Sequence, residues 1–249
     1  METVALERKG PVAWVWLNRP RRLNAMNPAM FAELQQTFEA LEGDDGIKAI
    51  VLAGRGQAFS AGFDVVWMLG LKPETVAQDI DSVHALYDSI EACAKPLIVA
   101  VHGAAVGGGL LLALVADFVL ASEGASFGAP EVKLGFFPPL ELIPRLERRV
   151  GLGAAKRIVL TGELLDAAEA ERIGLVERVV EGDALYEEAQ EWAERLAALP
   201  PTGVQLAKQA FGAAQREGYR AWETAQLATC WTAPDRAAAM EAFLKQGQG

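Results

Sequence analysis

The sequence predicts an α/β core followed by a helical C-terminal region. Three observations carry that prediction. Short runs rich in aliphatic and β-branched residues alternate with longer helical patterns as far as about Ser126. From Gly151 onward the pattern is mostly helical. At 249 residues, the chain is long enough to bury a substantial core, and it contains neither a fixed-period repeat nor a low-complexity segment.

The elements follow in order. TVALERKG and VAWVWLN, divided at Gly10-Pro11, read as a strand pair. NPAMFAELQQTFEALEGDDG reads as a helix with Asn27 as N-cap, Pro28 at the first helical position and Gly43 at the end. IKAIVLAG is a buried strand. DSVHALYDSIEACAK is a helix stopped by Pro96. PLIVAVHG is a second buried strand, LLLALVAD a buried helix and FVLAS another strand. GAAKRIVLTG, DAAEAERIG, DALYEEAQEWAERLAAL, TGVQLAKQAFGAAQREG and RAAAMEAFLKQ then read as helices, with LVERVV as the late strand. A soft boundary at Leu199-Pro200-Pro201 divides a core of 1–199 from a helical region of 200–249.

Composition narrows the function. The net charge of −10 argues against a nucleic-acid or anionic-membrane binder, which needs a basic field. NRPRR (Asn18–Arg22) is the one compact basic cluster, suited either to a local anion or to a solvated loop. The two cysteines, Cys93 and Cys230, have neither metal nor redox spacing, so no disulfide framework or zinc site is expected. No signal-peptide pattern opens the sequence. The most apolar stretch holds fourteen uncharged residues between His102 and Asp117. That is short of the ~20 a membrane span needs. A cytoplasmic location is expected.

Nucleotide motifs are weak. VLAGRGQAF has Phe59 where a dinucleotide fingerprint wants a small residue, and GLGAAKR lacks the ending of a phosphate-binding loop. FSAGFD (Phe59–Asp64) and AAVGGG form a more coherent pair, because each places glycine just after a buried strand. Spacing alone leaves two roles open for them: tight strand–helix packing, or two backbone N–H groups converging on one oxygen. His84 reads as a surface residue and His102 as a core histidine with its hydrogen bonds met. Glu131 lies among apolar residues, which raise a carboxyl pKa and make it a better base near neutrality. Glu141 shares the segment and is the rival; a solvated loop acid is the plainer alternative for both.

In series, LNRPRRLNAM, VLAGRGQAFSAGFDV, KPLIVAVHGAAVGGGLLLALVADFVLAS, SFGAPEVKLGF and VGLGAAKRIVLTGELLDAAEAERIGLVERVV resemble the enoyl-CoA hydratase/isomerase (crotonase) family over nearly the whole chain. The resemblance implies a spiral of β-β-α turns and a C-terminal helical trimerisation region. It also implies a homotrimer or a dimer of trimers, and a coenzyme A thioester as substrate, with no separate cofactor and no metal. It places an oxyanion hole at the N–H groups of Phe63 and Gly108 and a catalytic glutamate at Glu131. It puts Arg21 and Arg22 near the phosphates of coenzyme A. Leu23, Ala61, Asp64, Val65 and Val66 fall on the acyl-CoA path, with Trp67 and Met68 near the acyl tail or simply in the core.

Three departures from the family pattern matter. Hydratases of the family hold water between two glutamates, and the position of the first is Leu111. The loop glycine whose N–H helps to hold that water becomes Pro139, which has no N–H. Pro139 also replaces the nucleophilic aspartate of the family's dehalogenases, which discounts that chemistry. Leu111 with a single later glutamate is similar to the family's double-bond isomerases, so isomerisation is expected. An atypical hydratase and a catalytically silent acyl-CoA-binding protein are the alternatives. Finally, the chain ends in FLKQGQG where family members often carry a basic, aromatic segment, so Arg21 and Arg22 are the expected phosphate partners.

Overall fold

The computed structural model describes residues 2–213 except 73, 75 and 136, leaving aside the side chains of 76–78. The helix expected at RAAAMEAFLKQ and the FLKQGQG terminus lie outside the described residues.

Along the chain, β1 (Val4–Lys9) and β2 (Val12–Leu17) precede a 3-10 turn at Pro20–Arg22 and α1 (Pro28–Glu42). Then come β3 (Ala49–Gly54), α2 (Val65–Gly70), α3 (Val76–Ala92), β4 (Leu97–Val101), β5 (Ala104–Val106) and α4 (Gly108–Leu114). β6 (Phe118–Ser122), β7 (Ser126–Gly128), a second 3-10 turn (Pro130–Leu134) and α5 (Leu142–Thr161) follow. The described chain closes with β8 (Leu164–Asp166), α6 (Ala167–Arg172), β9 (Arg178–Val180), α7 (Leu185–Ala197) and α8 (Pro201–Ala213).

The larger sheet has the order β1-β2-β3-β4-β6-β9, antiparallel only at the first pair. Its inner strands β2, β3, β4 and β6 are covered on both faces, which is why they read as continuous apolar runs, whereas edge strand β1 alternates and carries charge. In β3, Ile50 and Leu52 join the main core, whereas Ala49, Val51 and Ala53 face Leu185, Ala189 and Ala193 of α7. The smaller sheet, β5-β7-β8, is extended by isolated parallel bridges Ser60↔Ala105 and Met26↔Phe63. Successive turns of chain therefore pass through the large sheet, then the small sheet, then helix. These are the β-β-α turns of the spiral.

Asn27 caps α1 as expected, its side chain accepting from the Met30 N–H at 3.1 Å. Two expectations are corrected. Helix starts at Leu142, before Gly151, where the backbone kinks at φ 79°. The short strands β5, β7 and β8 add a second sheet that alternation had not marked. No helix among the described residues is long and apolar enough to cross a membrane.

Candidate active site

The small sheet brings the two glycine segments together. Val106 N–H donates to the Ser60 carbonyl at 3.1 Å, and Ser60 N–H to the Ala104 carbonyl at 2.8 Å. This lays the turn carrying Gly62 against Val106-Gly107-Gly108. A methyl group placed on Gly62, at φ 93°, would sit 2.7 Å from the Val106 carbonyl oxygen and 3.4 Å from the Gly108 nitrogen. Only glycine allows both that angle and that approach. The Phe63 N–H, on the peptide that follows Gly62, therefore lies beside the Gly108 N–H. Among the described residues neither has a hydrogen-bond acceptor. Gly108 opens α4, where the first N–H groups have no intrahelical partner. Two adjacent free donors suit an oxygen that gains negative charge.

Glu131 meets the same place from the second 3-10 turn. It is 6 % exposed. A methyl placed on Gly107 would lie 2.7 Å from Glu131 Oε1, so the carboxylate rests against the residue preceding the Gly108 N–H. Gly107 N–H donates to the Gly128 carbonyl at 2.9 Å, tying the start of α4 to the strand that leads into Glu131. Oε2 is buried with no hydrogen-bond partner among the described residues. Burial pushes the carboxyl pKa up, while a bond from the residue's own N–H partly opposes the shift.

Glu141, the rival carboxylate, has a different environment from buried Glu131. It precedes α5 at φ 55°, is largely exposed and pairs with Arg145 at 3.4 Å. Buried Arg145 also donates to Asp88 at 2.7 Å, to Glu91 at 2.8 Å and to the Leu140 carbonyl at 2.9 Å. It thereby fixes the chain that follows Glu131.

Other expected site residues are placed as follows. Arg21 and Arg22 are exposed on the Pro20–Arg22 turn, whereas Arg19 of the same cluster points inward to Asp64 at 3.0 Å. Leu23 lies beside exposed Ala61, whose N–H donates to the Leu23 carbonyl at 2.9 Å. Asp64 is committed within the protein. Burial would raise its pKa, but the Arg19 bond and the Val66 N–H at 3.0 Å hold it below the usual range. Val65 and Val66 are 59 % and 76 % exposed on α2. Trp67 packs edge-on against Phe31 and Phe63, at 5.2 and 5.9 Å between ring centres. Leu111, 1 % exposed, lies one helical turn after Gly108, and its N–H donates to the Gly107 carbonyl at 3.0 Å. Pro139 is half-buried, its carbonyl accepting from the Leu142 N–H at 3.3 Å. His102 is bonded at both ring nitrogens, to the Gly56 carbonyl and the Tyr186 hydroxyl.

Sequence reasoning missed the polar groups that hold these turns. Ser60 Oγ donates to the Asn24 carbonyl at 2.9 Å and accepts from the Gly62 N–H at 3.2 Å. Buried Asn24, at φ 54°, bonds the carbonyls of Arg55 and Ala58. The Gly62–Ser60 bond is local, but these Asn24 partners lie thirty or more residues away, so no local motif marks them.

The spiral fold and the paired glycine turns facing a buried glutamate place the chain in one family. It belongs to the enoyl-CoA hydratase/isomerase family, whose model matches residues 7–248. The short-chain-enoyl-CoA hydratase of Clostridium acetobutylicum is 35 % identical, covering 99 % of this chain and 96 % of its own. The crotonyl-CoA hydratase of Syntrophomonas wolfei is 34 % identical, with 98 % and 96 % covered. The solved enoyl-CoA hydratase of Bacillus anthracis is 31 % identical and superposes with a TM-score of 0.93, over 98 % of this chain and 96 % of its own.

Proposed function

We propose that the protein binds an acyl-CoA thioester and isomerises an enoyl double bond through an enolate, with Glu131 as its single proton-transfer base. The observation that carries this reading is the buried Glu131 carboxylate resting against Gly107, next to the free N–H groups of Phe63 and Gly108. A thioester oxygen accepting from both donors gains, by comparison with other oxyanion holes, about 3–4 kcal/mol from each in the transition state. Glu131 takes a proton from C2 of a 3-enoyl chain. The C–H electron pair moves into the C2–C1 bond and charge collects on the thioester oxygen. The same carboxyl group then returns its proton to C4, leaving the double bond between C2 and C3. A carboxyl whose pKa burial has raised is a better base near neutrality than a solvated one.

Leu111 and Pro139 support isomerisation over hydration. An apolar group at the first position and a residue without an N–H at the second offer little to hold a water. Arg21 and Arg22 are assigned to the coenzyme A phosphates, with Leu23, Ala61, Asp64, Val65 and Val66 along the acyl-CoA path. Hydration of a 2-enoyl-CoA is the second reading, favoured by relatives that are named hydratases. A cytoplasmic trimer or dimer of trimers is the proposed form, which sedimentation of the purified chain tests.

Offering 3-enoyl-CoA and 2-enoyl-CoA separately distinguishes the two readings. Conversion of the 3-enoyl compound with slow hydration of the 2-enoyl one is expected; fast hydration without isomerisation refutes the proposal. Glu131→Gln is expected to reduce turnover by about 10²–10⁴-fold while acyl-CoA affinity holds.

A further inference from the structure

One buried side chain touches the site without a role so far. Tyr87 of α3 is 0 % exposed, and its hydroxyl donates to the Gly108 carbonyl at 3.0 Å, with Met26 Sδ at 3.7 Å. A phenylalanine would fill nearly the same space without a polar atom to bury. A carbonyl in the first turn of a helix already has an intrahelical donor available, so Gly108 does not need this bond to be satisfied.

The need lies in the glycines. Gly107, Gly108 and Gly109 have no side chains to lock their backbone, and a misaimed N–H loses its value as an oxyanion donor. The peptide before Gly108 is pinned through the Gly107 carbonyl, which accepts from Leu111 N–H at 3.0 Å. The peptide after Gly108 is pinned by Tyr87. The helix that carries Tyr87 is itself anchored, since Asp88 and Glu91 hold Arg145, which grips the Leu140 carbonyl beyond Glu131.

We propose that Tyr87 is a positioning residue for the oxyanion hole: its hydroxyl holds the Gly108–Gly109 peptide, and with the Leu111–Gly107 bond on the other side of the Gly108 Cα it restrains the turn so that the Gly108 N–H keeps its aim at the thioester oxygen. This rests on the reading of Phe63 and Gly108 as that hole, so the test must separate the two. The probe is a saturated acyl-CoA labelled with ¹³C at the thioester carbonyl, whose stretching band is followed by difference infrared spectroscopy.

Bound to the parent protein, the band is expected below its position in solution. With Tyr87→Phe it is expected to return part of the way. On 3-enoyl-CoA, kcat is expected to fall roughly 5- to 50-fold. KM should stay within about two-fold. Placing 3-fluorotyrosine at position 87 keeps the donor and should preserve both band and rate. A parent band that does not move on binding refutes the oxyanion hole itself. A parent band that moves, with an equal displacement in Tyr87→Phe, refutes the role of Tyr87 alone. Equal losses in the phenylalanine and fluorotyrosine variants assign the effect to packing and also overturn the proposal.

Discussion

Gly107→Ala is the most informative single perturbation, because the structure gives it two separable costs. Gly107 sits at φ 55° and ψ −119°, a conformation that residues with a Cβ avoid. Holding alanine there costs on the order of 1–3 kcal/mol. For a chain of this size that lowers Tm by roughly 2–12 °C. The second cost falls on catalysis. The added methyl would lie 2.7 Å from Glu131 Oε1, so the carboxylate must retreat by about 0.7 Å to reach an ordinary 3.4 Å contact. A displacement on that scale costs up to about 10²-fold in rate. The assay is kcat on 3-enoyl-CoA beside the Kd of a saturated acyl-CoA, with thermal unfolding on the same samples. A large loss in kcat, a small change in Kd and a modest fall in Tm are expected. Gly153→Ala is the control, since Gly153 lies in α5 with nothing within 4 Å of an added methyl. Full activity in Gly107→Ala would refute the placement of the Glu131 carboxylate.

Three further predictions concern charge. Burial raises the Glu131 pKa above 4.5, so the folded chain keeps that proton longer than the unfolded chain and loses stability as pH rises through the folded value. Glu131→Gln lacks this loss, so its Tm is expected to gain on the parent's between acid and neutral pH; a constant difference contradicts the burial argument. Activity should rise over the same pH range, as the base form appears. Leu111→Glu is expected to raise hydration of 2-enoyl-CoA and to lower Tm, because it places a carboxyl where the leucine is 1 % exposed. Unchanged hydration would count against position 111 as the first water-holding site. Arg145→Met is expected to cost only about 1–2 kcal/mol in a denaturation series, because its carboxylate partners are exposed enough to turn to water. A loss as large as about 3–5 kcal/mol would mean that those partners are left buried and unpaired.

The legible parts of the sequence were those with a period or a punctuating residue. β3 and β4 read as buried strands because α7 and the main core cover opposite faces of the sheet, and Asn27-Pro28 announced α1. The glycine turns were visible as residues, but their meeting was not. It depends on β5 and β7, each three residues long and too short to show alternation. The start of α5 was hidden by prolines at 138, 139 and 144 and by the positive φ angles of Leu140 and Glu141. Arg145 sits in the charged run RLERR, which by itself gives no sign of burial, yet it is buried among partners on α3. Tyr87 carried no signal because it acts on a backbone carbonyl twenty-one residues away, and the Asn24 bonds that tie turns together reach Arg55 and Ala58, more than thirty residues on. Glu131 could be singled out by its apolar neighbours, but only the fold separates it from Glu141.

The most direct test of Glu131 as the base beside a thioester hole is exchange of the C2 protons of a saturated acyl-CoA in deuterium oxide, followed by proton NMR. The parent protein is expected to exchange them, and Glu131→Gln to bind the same compound with little or no exchange. Equal exchange by both proteins, or tight binding without exchange by the parent, would contradict proton transfer by Glu131.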